Sequence, residues 1–253
     1  MKIATQQVMK HDVDFSVADF GENDINHFCI EKFSNGNWEA HSFYIFDKYR
    51  NKAKIMIDMG GWLGITPLYC SHKFDKVFAF ECDREAIKRF KYNLDANPNI
   101  KNVYLIEEAI WTKNGYISLF PQGELGDSES TLVPKNLFTS GKDVKVRCSK
   151  FLTAMNNNRV VLKDISFIKI DIEGAEAKVI EDMERFISVY KPTIYLSIHH
   201  HLLTIEEIDK MLTFLFSVYN QPFIFNDKGE SMPTSKDDII NHELGDCVFT
   251  TNK

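Results

Sequence analysis

The sequence predicts an α/β protein: one doubly wound, mostly parallel sheet with a small N-terminal cap. Three observations predict it. From Lys54 onward, apolar and β-branched runs alternate with amphipathic stretches. The first run enters a glycine-bearing turn between Asp58 and Gly64, and no internal repeat or low-complexity segment breaks the rhythm. Strand and helix alternating in this way give a parallel sheet with right-handed crossovers. The boundaries that follow are a cap over residues 1–50 and one ligand-binding domain over residues 51–253.

The cap alternates polar and aromatic positions, with "HFCIEKF" and "SFYIFDKYR" as short strand or helix candidates about a turn at "SNGNW". "AKIMIDM" reads as a buried strand, "TPLYCSHKF" as a short helix and "KVFAFEC" as a second strand. "REAIKRFKYNLDAN" is a helix with Ile87, Phe90 and Leu94 on one face. "NVYLIEEAI" is a third strand. "GYISLFPQGELGDSESTLVPKNLF" is too long for a plain connector, which marks it as a functional loop. Strands follow at "VKVRCSKF", "ISFIKIDI" and "PTIYLSI", with "AEAKVIEDMERFISVY" as an amphipathic helix. "IEEIDKMLTFLFSVY", "PFIFN" and "GDCVFTT" supply a last helix and two strands.

Composition narrows the function classes. A chain of 253 residues that is 44% hydrophobic can bury one sizeable core. A net charge of -6 argues against nucleic acid as a general partner, because such proteins concentrate Lys and Arg into a positive field. The five cysteines are far apart and form no CxxC pair, so reduced thiols in a cytoplasmic setting are expected, with neither a disulfide framework nor a zinc knuckle. No apolar run is long enough for a membrane span and the N-terminus carries no apolar signal core. Nothing in the sequence specifies an oligomeric state.

In open α/β sheets, ligands sit beyond the carboxyl ends of the strands. Asp58, Gly60, Gly61 and Gly64 fall at one such end, where glycine permits a sharp turn and lets a ligand touch backbone that a Cβ would shield. A dinucleotide fingerprint would need a glycine at Met59, so an NAD-linked oxidoreductase is the weaker alternative. A nucleoside cofactor without phosphates needs no anion nest, and can use a carboxylate near its ammonium group. The next strand ends at Glu81 and Cys82, where a carboxylate can accept from both hydroxyls of a ribose. At the third strand end, Glu108, preferred over Glu107, is placed to meet an adenine amino group. A non-catalytic cofactor-binding scaffold is a further alternative, against which stand the buried strand-end carboxylates.

"NWEAHSFYIFDKYRNKAKIMIDMGGWLGITPLY", "VFAFECD", "EEAIW", "GDSESTL" and "FIKIDIEGAEAKVIEDM", in this order, resemble the FkbM-type S-adenosylmethionine-dependent methyltransferases, from Trp38 to Lys191 and more loosely beyond. The resemblance implies a Rossmann-like class I methyltransferase fold, with Asp58, Gly60 and Gly64 at the methionine part of the cofactor, Glu81 at the ribose and Glu108 near the adenine. Gly61 stands where the family commonly has alanine. "RCSKFL" departs from a frequent Leu-Asp pair, so Ser149 and Lys150 receive no role. The family's members act on hydroxyls of sugars or polyketide-type products, which implies a hydroxyl acceptor and favours a sugar or glycan. Sequence similarity in a cofactor domain says little about the acceptor itself.

Methyl transfer to an alcohol requires a hydroxyl aligned with the methyl group and relieved of its proton. "FIKIDIEGAE" puts Asp171 at a strand end beside the turn, as base or positioning group, with Glu173 opening the following helix as an acceptor contact. No metal site is assigned, and a magnesium ion at Asp171 is the lesser alternative. Glu176 reads as an acid favourable in a helix's first turn. "IYLSIHHHLL" ends in histidines, of which His199 or His200 is the candidate general base, since a neutral imidazole can accept an alcohol proton. Strand alternation would place Tyr195, Ser197 and His199 on one side and His200 on the other. Ser128 and Ser130, in the long loop, are candidates to hydrogen-bond cofactor or acceptor, and Trp38 and Tyr44 could stack on a sugar face.

Overall fold

A computed structural model describes residues 4–21, 27, 30–32, 39–123, 125–126, 128–133 and 143–251. The chain opens with a hairpin of β1 (Ala4–Lys10) and β2 (Val13–Asp19), then α1 (Ala40–Lys48). The alternating part runs β3 (Asn51–Met59), α2 (Ile65–Cys70), β4 (Phe74–Phe80), α3 (Arg84–Asp95) and β5 (Val103–Ile106). Three short strands follow: β6 (Ala109–Ile110), β7 (Gly115–Leu119) and β8 (Val144–Ser149). After them come α4 (Phe151–Asn157), β9 (Ile165–Ile170), α5 (Glu176–Tyr190) and β10 (Thr193–Ser197). The last elements are α6 (Ile205–Val218), β11 (Phe223–Phe225), β12 (Ser231–Pro233), α7 (Lys236–Asn241) and β13 (Asp246–Phe249).

The main sheet has eight strands in the order β12-β11-β13-β10-β9-β3-β4-β5. β10, β9, β3, β4 and β5 are parallel neighbours, and β13, β11 and β12 add on antiparallel. The sequence order therefore runs outward from β3 to β5 on one side and from β9 to β10 on the other, where β13 inserts between β10 and β11. Crossovers diverge at the β3/β9 junction, the place where such sheets open a crevice for ligands. Alternation along the strands explains the two layers: Ile57 and Met59 pack with Val179, Met183 and Leu212 of α5 and α6, whereas Met56 packs with Leu68 and Tyr69 of α2.

Two sequence expectations change. Among the described residues of 1–50, Val8, Phe15, Val17, Phe43 and Phe46 share one apolar cluster with Met56, Phe167 and Tyr195 of the sheet. "NVYLIEEAI" is two strands, because the chain turns at Glu107 and Glu108 and leaves the main sheet. "VKVRCSKF" is a strand outside the main sheet; β8 lies between β6 and β7 in a separate three-stranded sheet over Ala109, Leu119, Leu132, Val146 and Cys148. "SNGNW" and most of "HFCIEKF" lie outside the described residues. Among the described residues, no helix is long and apolar enough to cross a membrane, and Cys70, Cys82, Cys148 and Cys247 are free thiols.

Candidate active site at the carboxyl ends of the strands

A cavity of about 640 Å³ opens above β3, β4, β9 and β10. Its floor is the turn after β3. The Gly60 and Gly61 N–H groups both donate to the Phe80 carbonyl at 3.0 Å, which draws the turn over the end of β4. Gly60 has φ +88°, and a Cβ there would overlap the Asp171 carbonyl; Gly64 has φ +83°, and a Cβ there would overlap the Phe90 ring. Both positions require glycine for conformation and for space. Gly61 is under no such φ constraint, although Phe90 and Ala79 lie 3.1 and 3.2 Å from where its Cβ would be.

Glu81 closes one side of the cavity. Its Oε2 accepts from the Trp62 N–H at 2.8 Å, and its Oε1 accepts from the Cys82 and Asp83 N–H groups at 2.7 and 2.8 Å. Burial pushes its carboxyl up, and these three donors pull it back. Asp83 pins the loop opposite: its Oδ2 accepts from the Gly126 N–H at 2.8 Å and the Ser130 hydroxyl at 3.4 Å, while Oδ1 caps α3 through the Glu85 N–H. Trp62 Nε1 donates to the Gly126 carbonyl at 3.0 Å. Cys82, Ser128 and Ser130 line the wall, so the long loop contributes to the site as a wall held by Asp83 and Trp62.

The other side carries the acids of "KIDIEGAE". Lys169, 4% exposed, donates from Nζ to Asp171 Oδ2 at 2.7 Å and stands 3.9 Å from Asp58 Oδ1. Asp58 is fully buried, accepts no hydrogen bond at either oxygen, and is pushed up by burial to about 7, with Lys169 opposing the rise. The structure places it behind the wall, not on it. Glu173 adopts φ +50°, unusual for a residue with a Cβ, and its carbonyl accepts from the Thr131 hydroxyl. His199 joins the group: Nδ1 is 2.8 Å from Glu176 Oε1, and Nε2 is 3.2 Å from Glu173 Oε1 and 3.6 Å from Asp171 Oδ1. Burial alone would lower the imidazole, but Glu173 and Glu176 outweigh it and raise it to about 11. His199 is thus held as a cation. Ligand atoms of Asp171, Glu173 and His199 lie within 4.8 Å of one another, an arrangement that a divalent cation could use.

The chain's family can be read at this point, since the profile of the FkbM methyltransferase domain matches residues 19–223. The protein belongs to the FkbM methyltransferase family. This family is S-adenosylmethionine-dependent. Among solved structures, an FkbM methyltransferase from Methylobacillus flagellatus KT is 13% identical with a TM-score of 0.48, over 89% of this chain and 53% of that one. The present chain thus spans about half of that protein's length. SMU.1697c from Streptococcus mutans, in complex with SAH, is 14% identical with a TM-score of 0.45 over 83% and 95% of the two chains. An rRNA methylase from Streptococcus thermophilus is 14% identical with a TM-score of 0.40 over 73% and 81%. No curated protein matches the chain.

Within this FkbM chain, Gly60, Gly61, Glu81, Cys82, Ser128, Ser130, Asp171, Glu173 and His199 line one cavity. Asp58, Glu108 and His200 do not. Glu108 is 5% exposed and its Oε2 accepts from the Ser149 hydroxyl at 3.0 Å, because the turn that starts β6 carries it away from the end of β5. His200 stands 3.2 Å from the Leu244 carbonyl through Nε2, since β10 ends at Ser197 and the strand alternation stops there. Tyr44 packs on His11 with ring centroids 4.6 Å apart, away from the cavity, and Trp38 lies outside the described residues. Sequence reasoning missed Lys169, Trp62 and Asp83. A lysine in the apolar run "FIKID" was the available signal for the first.

Proposed function

We propose that this FkbM-family protein transfers the methyl group of S-adenosylmethionine to a hydroxyl of a sugar or glycan. The observation that carries the proposal is the single cavity that joins the glycine turn and Glu81 on one side to Asp171, Glu173 and His199 on the other. Bound S-adenosylmethionine supplies an electrophilic methyl carbon on a sulfonium. The glycine turn at Gly60 and Gly61 lines the cavity where a thioether chain would pass, and Glu81, with three backbone N–H bonds made, retains one acceptor site on Oε2 for a ribose hydroxyl. Gly64 acts below the turn, by its packing on Phe90. Nucleic acid is not the partner proposed, given the net charge of -6.

The pairing of His199 changes the acid–base assignment. An imidazole already protonated cannot take a proton from an alcohol. Glu173 can: burial pushes its carboxyl up, so it is a stronger base than an exposed glutamate, and it faces the cavity. Asp171, anchored by Lys169, orients the hydroxyl; His199 holds the two carboxylates in place and offsets their repulsion. A divalent cation that Asp171, Glu173 and a deprotonated His199 would hold is the second route to the same end, because a bound cation would lower a hydroxyl's pKa.

The test is transfer of labelled methyl from S-adenosylmethionine to a panel of neutral glycosides, preceded by calorimetric titration with S-adenosylhomocysteine and NAD. Binding of the first and label on a glycoside oxygen is the expected result. Binding of NAD alone would sink the methyl-transfer reading, and label confined to RNA or to an amine would sink the sugar reading. Transfer that survives a chelator favours Glu173 over a metal; transfer abolished by a chelator and restored by magnesium favours the cation.

A further inference from the structure

Lys169 is the buried charge that the mechanism above uses least. A lysine ammonium carries three donors, and among the described residues this one makes a single hydrogen bond, to Asp171 Oδ2. Asp58 Oδ1, at 3.9 Å, is beyond hydrogen-bond reach, and neither Asp58 oxygen finds a donor elsewhere. Buried polar groups in folded proteins almost always have partners, and exceptions point to a missing ligand or water. Among the described residues these exceptions are both Asp58 oxygens, Ser166 Oγ and Glu176 Oε2, and the Asp58 oxygens lie beside Lys169. Asp58 and Lys169 are direct neighbours in the register of β3 and β9, one layer below the glycine turn, and Lys169 reaches the cavity wall.

We infer that Lys169 binds the carboxylate of the amino-acid end of the cofactor, with Asp58 and Asp171 as the residues that hold its ammonium in place. The inference rests on the S-adenosylmethionine reading of the cavity. The site assembles from two adjacent strand ends: the ammonium is bonded to Asp171, just beyond β9, and faces Asp58 of β3. A ligand carboxylate there would complete the donors that Lys169 leaves unused. Asp58, sealed from the cavity, acts through Lys169 and not by touching the ligand.

A ligand series separates this role from a structural one. S-Adenosylhomocysteine, its decarboxylated analogue and 5′-methylthioadenosine are titrated by calorimetry into the unaltered chain and into Lys169→Met. In the unaltered chain, removal of the ligand carboxylate should weaken binding about tenfold or more, the usual scale of a charge-assisted hydrogen bond. In Lys169→Met that difference should shrink to within about twofold, with 5′-methylthioadenosine binding retained. Equal affinity of the unaltered chain for S-adenosylhomocysteine and its decarboxylated analogue overturns the inference, as does an equal loss for all three ligands in the variant. The comparison on the unaltered chain stands even if Lys169→Met does not fold. Failure of every ligand to bind the unaltered chain would overturn the cofactor reading itself, a distinct result.

Discussion

His199 shows how pairing redirects a residue's chemistry. Its value of about 11 lies above the ordinary 6.5, so the stability gained by pairing with Glu173 and Glu176 is fully present below 6.5 and is lost as pH rises through about 11. The melting temperature of the unaltered protein should therefore exceed that of His199→Ala most in mildly acidic buffer, with the gap closing in alkali; thermal scans across pH check this. Glu173→Gln, which removes the proposed proton acceptor, should lower turnover about 100-fold or more while S-adenosylhomocysteine affinity stays unchanged. Undiminished turnover removes Glu173 from the mechanism. Asp58 titrates with the same sign over a lower window, so its contribution is already being lost in neutral buffer. Its value of about 7 stands above 3.8, so the chain is most favoured with Asp58 protonated, and that contribution is lost as pH rises from 3.8 through about 7. Melting temperatures of Asp58→Asn should show a flatter decline over the same range.

At the scale of elements, the turn between β3 and α2 sets the position of everything above it. Gly60 and Gly64 combine a left-handed backbone with no room for a Cβ, against a carbonyl in one case and a ring in the other. Gly60→Ala and Gly64→Ala should each cost about 2–4 kcal/mol, the sum of backbone strain and overlap. Gly61→Ala should cost about 1 kcal/mol or less, since only the Phe90 and Ala79 side chains must give way. Urea denaturation of the three variants orders them, and an equal cost at all three would contradict the packing described. The acidic turn before α5 is built on similar lines: Glu173 and Gly174 both have positive φ, and Glu176 Oε1 accepts from the Gly174 N–H at 3.1 Å. That geometry brings Glu173 and Glu176, three residues apart, onto the two nitrogens of one imidazole.

At the scale of the whole molecule, the described N-terminal hairpin is packed into the core of the sheet. The hairpin of β1 and β2 buries Val8, Val13, Phe15 and Val17 in the same cluster as Met56, Leu68 and Phe167. Asparagines of α3 extend its edge: Asn93 Oδ1 accepts from the Ala18 N–H and Asn97 Oδ1 from the Ser16 N–H, both at 2.8 Å. Phe15→Ala should destabilise the chain by about 3–5 kcal/mol, as for a core aromatic. Deletion of residues 1–21 should lower the melting temperature of the entire fold in one cooperative transition. A truncated chain that melts like the full one would show the hairpin to be dispensable. Near the site, α1 is fastened to the interior strands β13 and β10 by His41 Nε2, 3.0 Å from Asp246 Oδ2, and by the Ser42 hydroxyl, 2.7 Å from the Tyr195 hydroxyl.

The sequence by itself determined the alternating core and the floor of the cavity. Ile55, Ile57 and Met59 alternate with a run that ends in glycines, and such a pattern has one low-energy arrangement, a buried strand that turns sharply at its carboxyl end. Glu81 and Asp171 were legible for the same reason, as acids that end apolar strands. Tertiary structure decided the charges. Whether Asp58 meets a ligand or a lysine depends on the register between β3 and β9, segments over a hundred residues apart, and no local period encodes that. Glu108 and Ser149 pair because a two-residue turn shifts the chain into a second sheet. His199 is paired at both nitrogens because the turn before α5 and that helix's first residue present Glu173 and Glu176 to it. Local geometry follows from near neighbours in the chain, whereas protonation and contact follow from whatever the fold brings within a few ångströms.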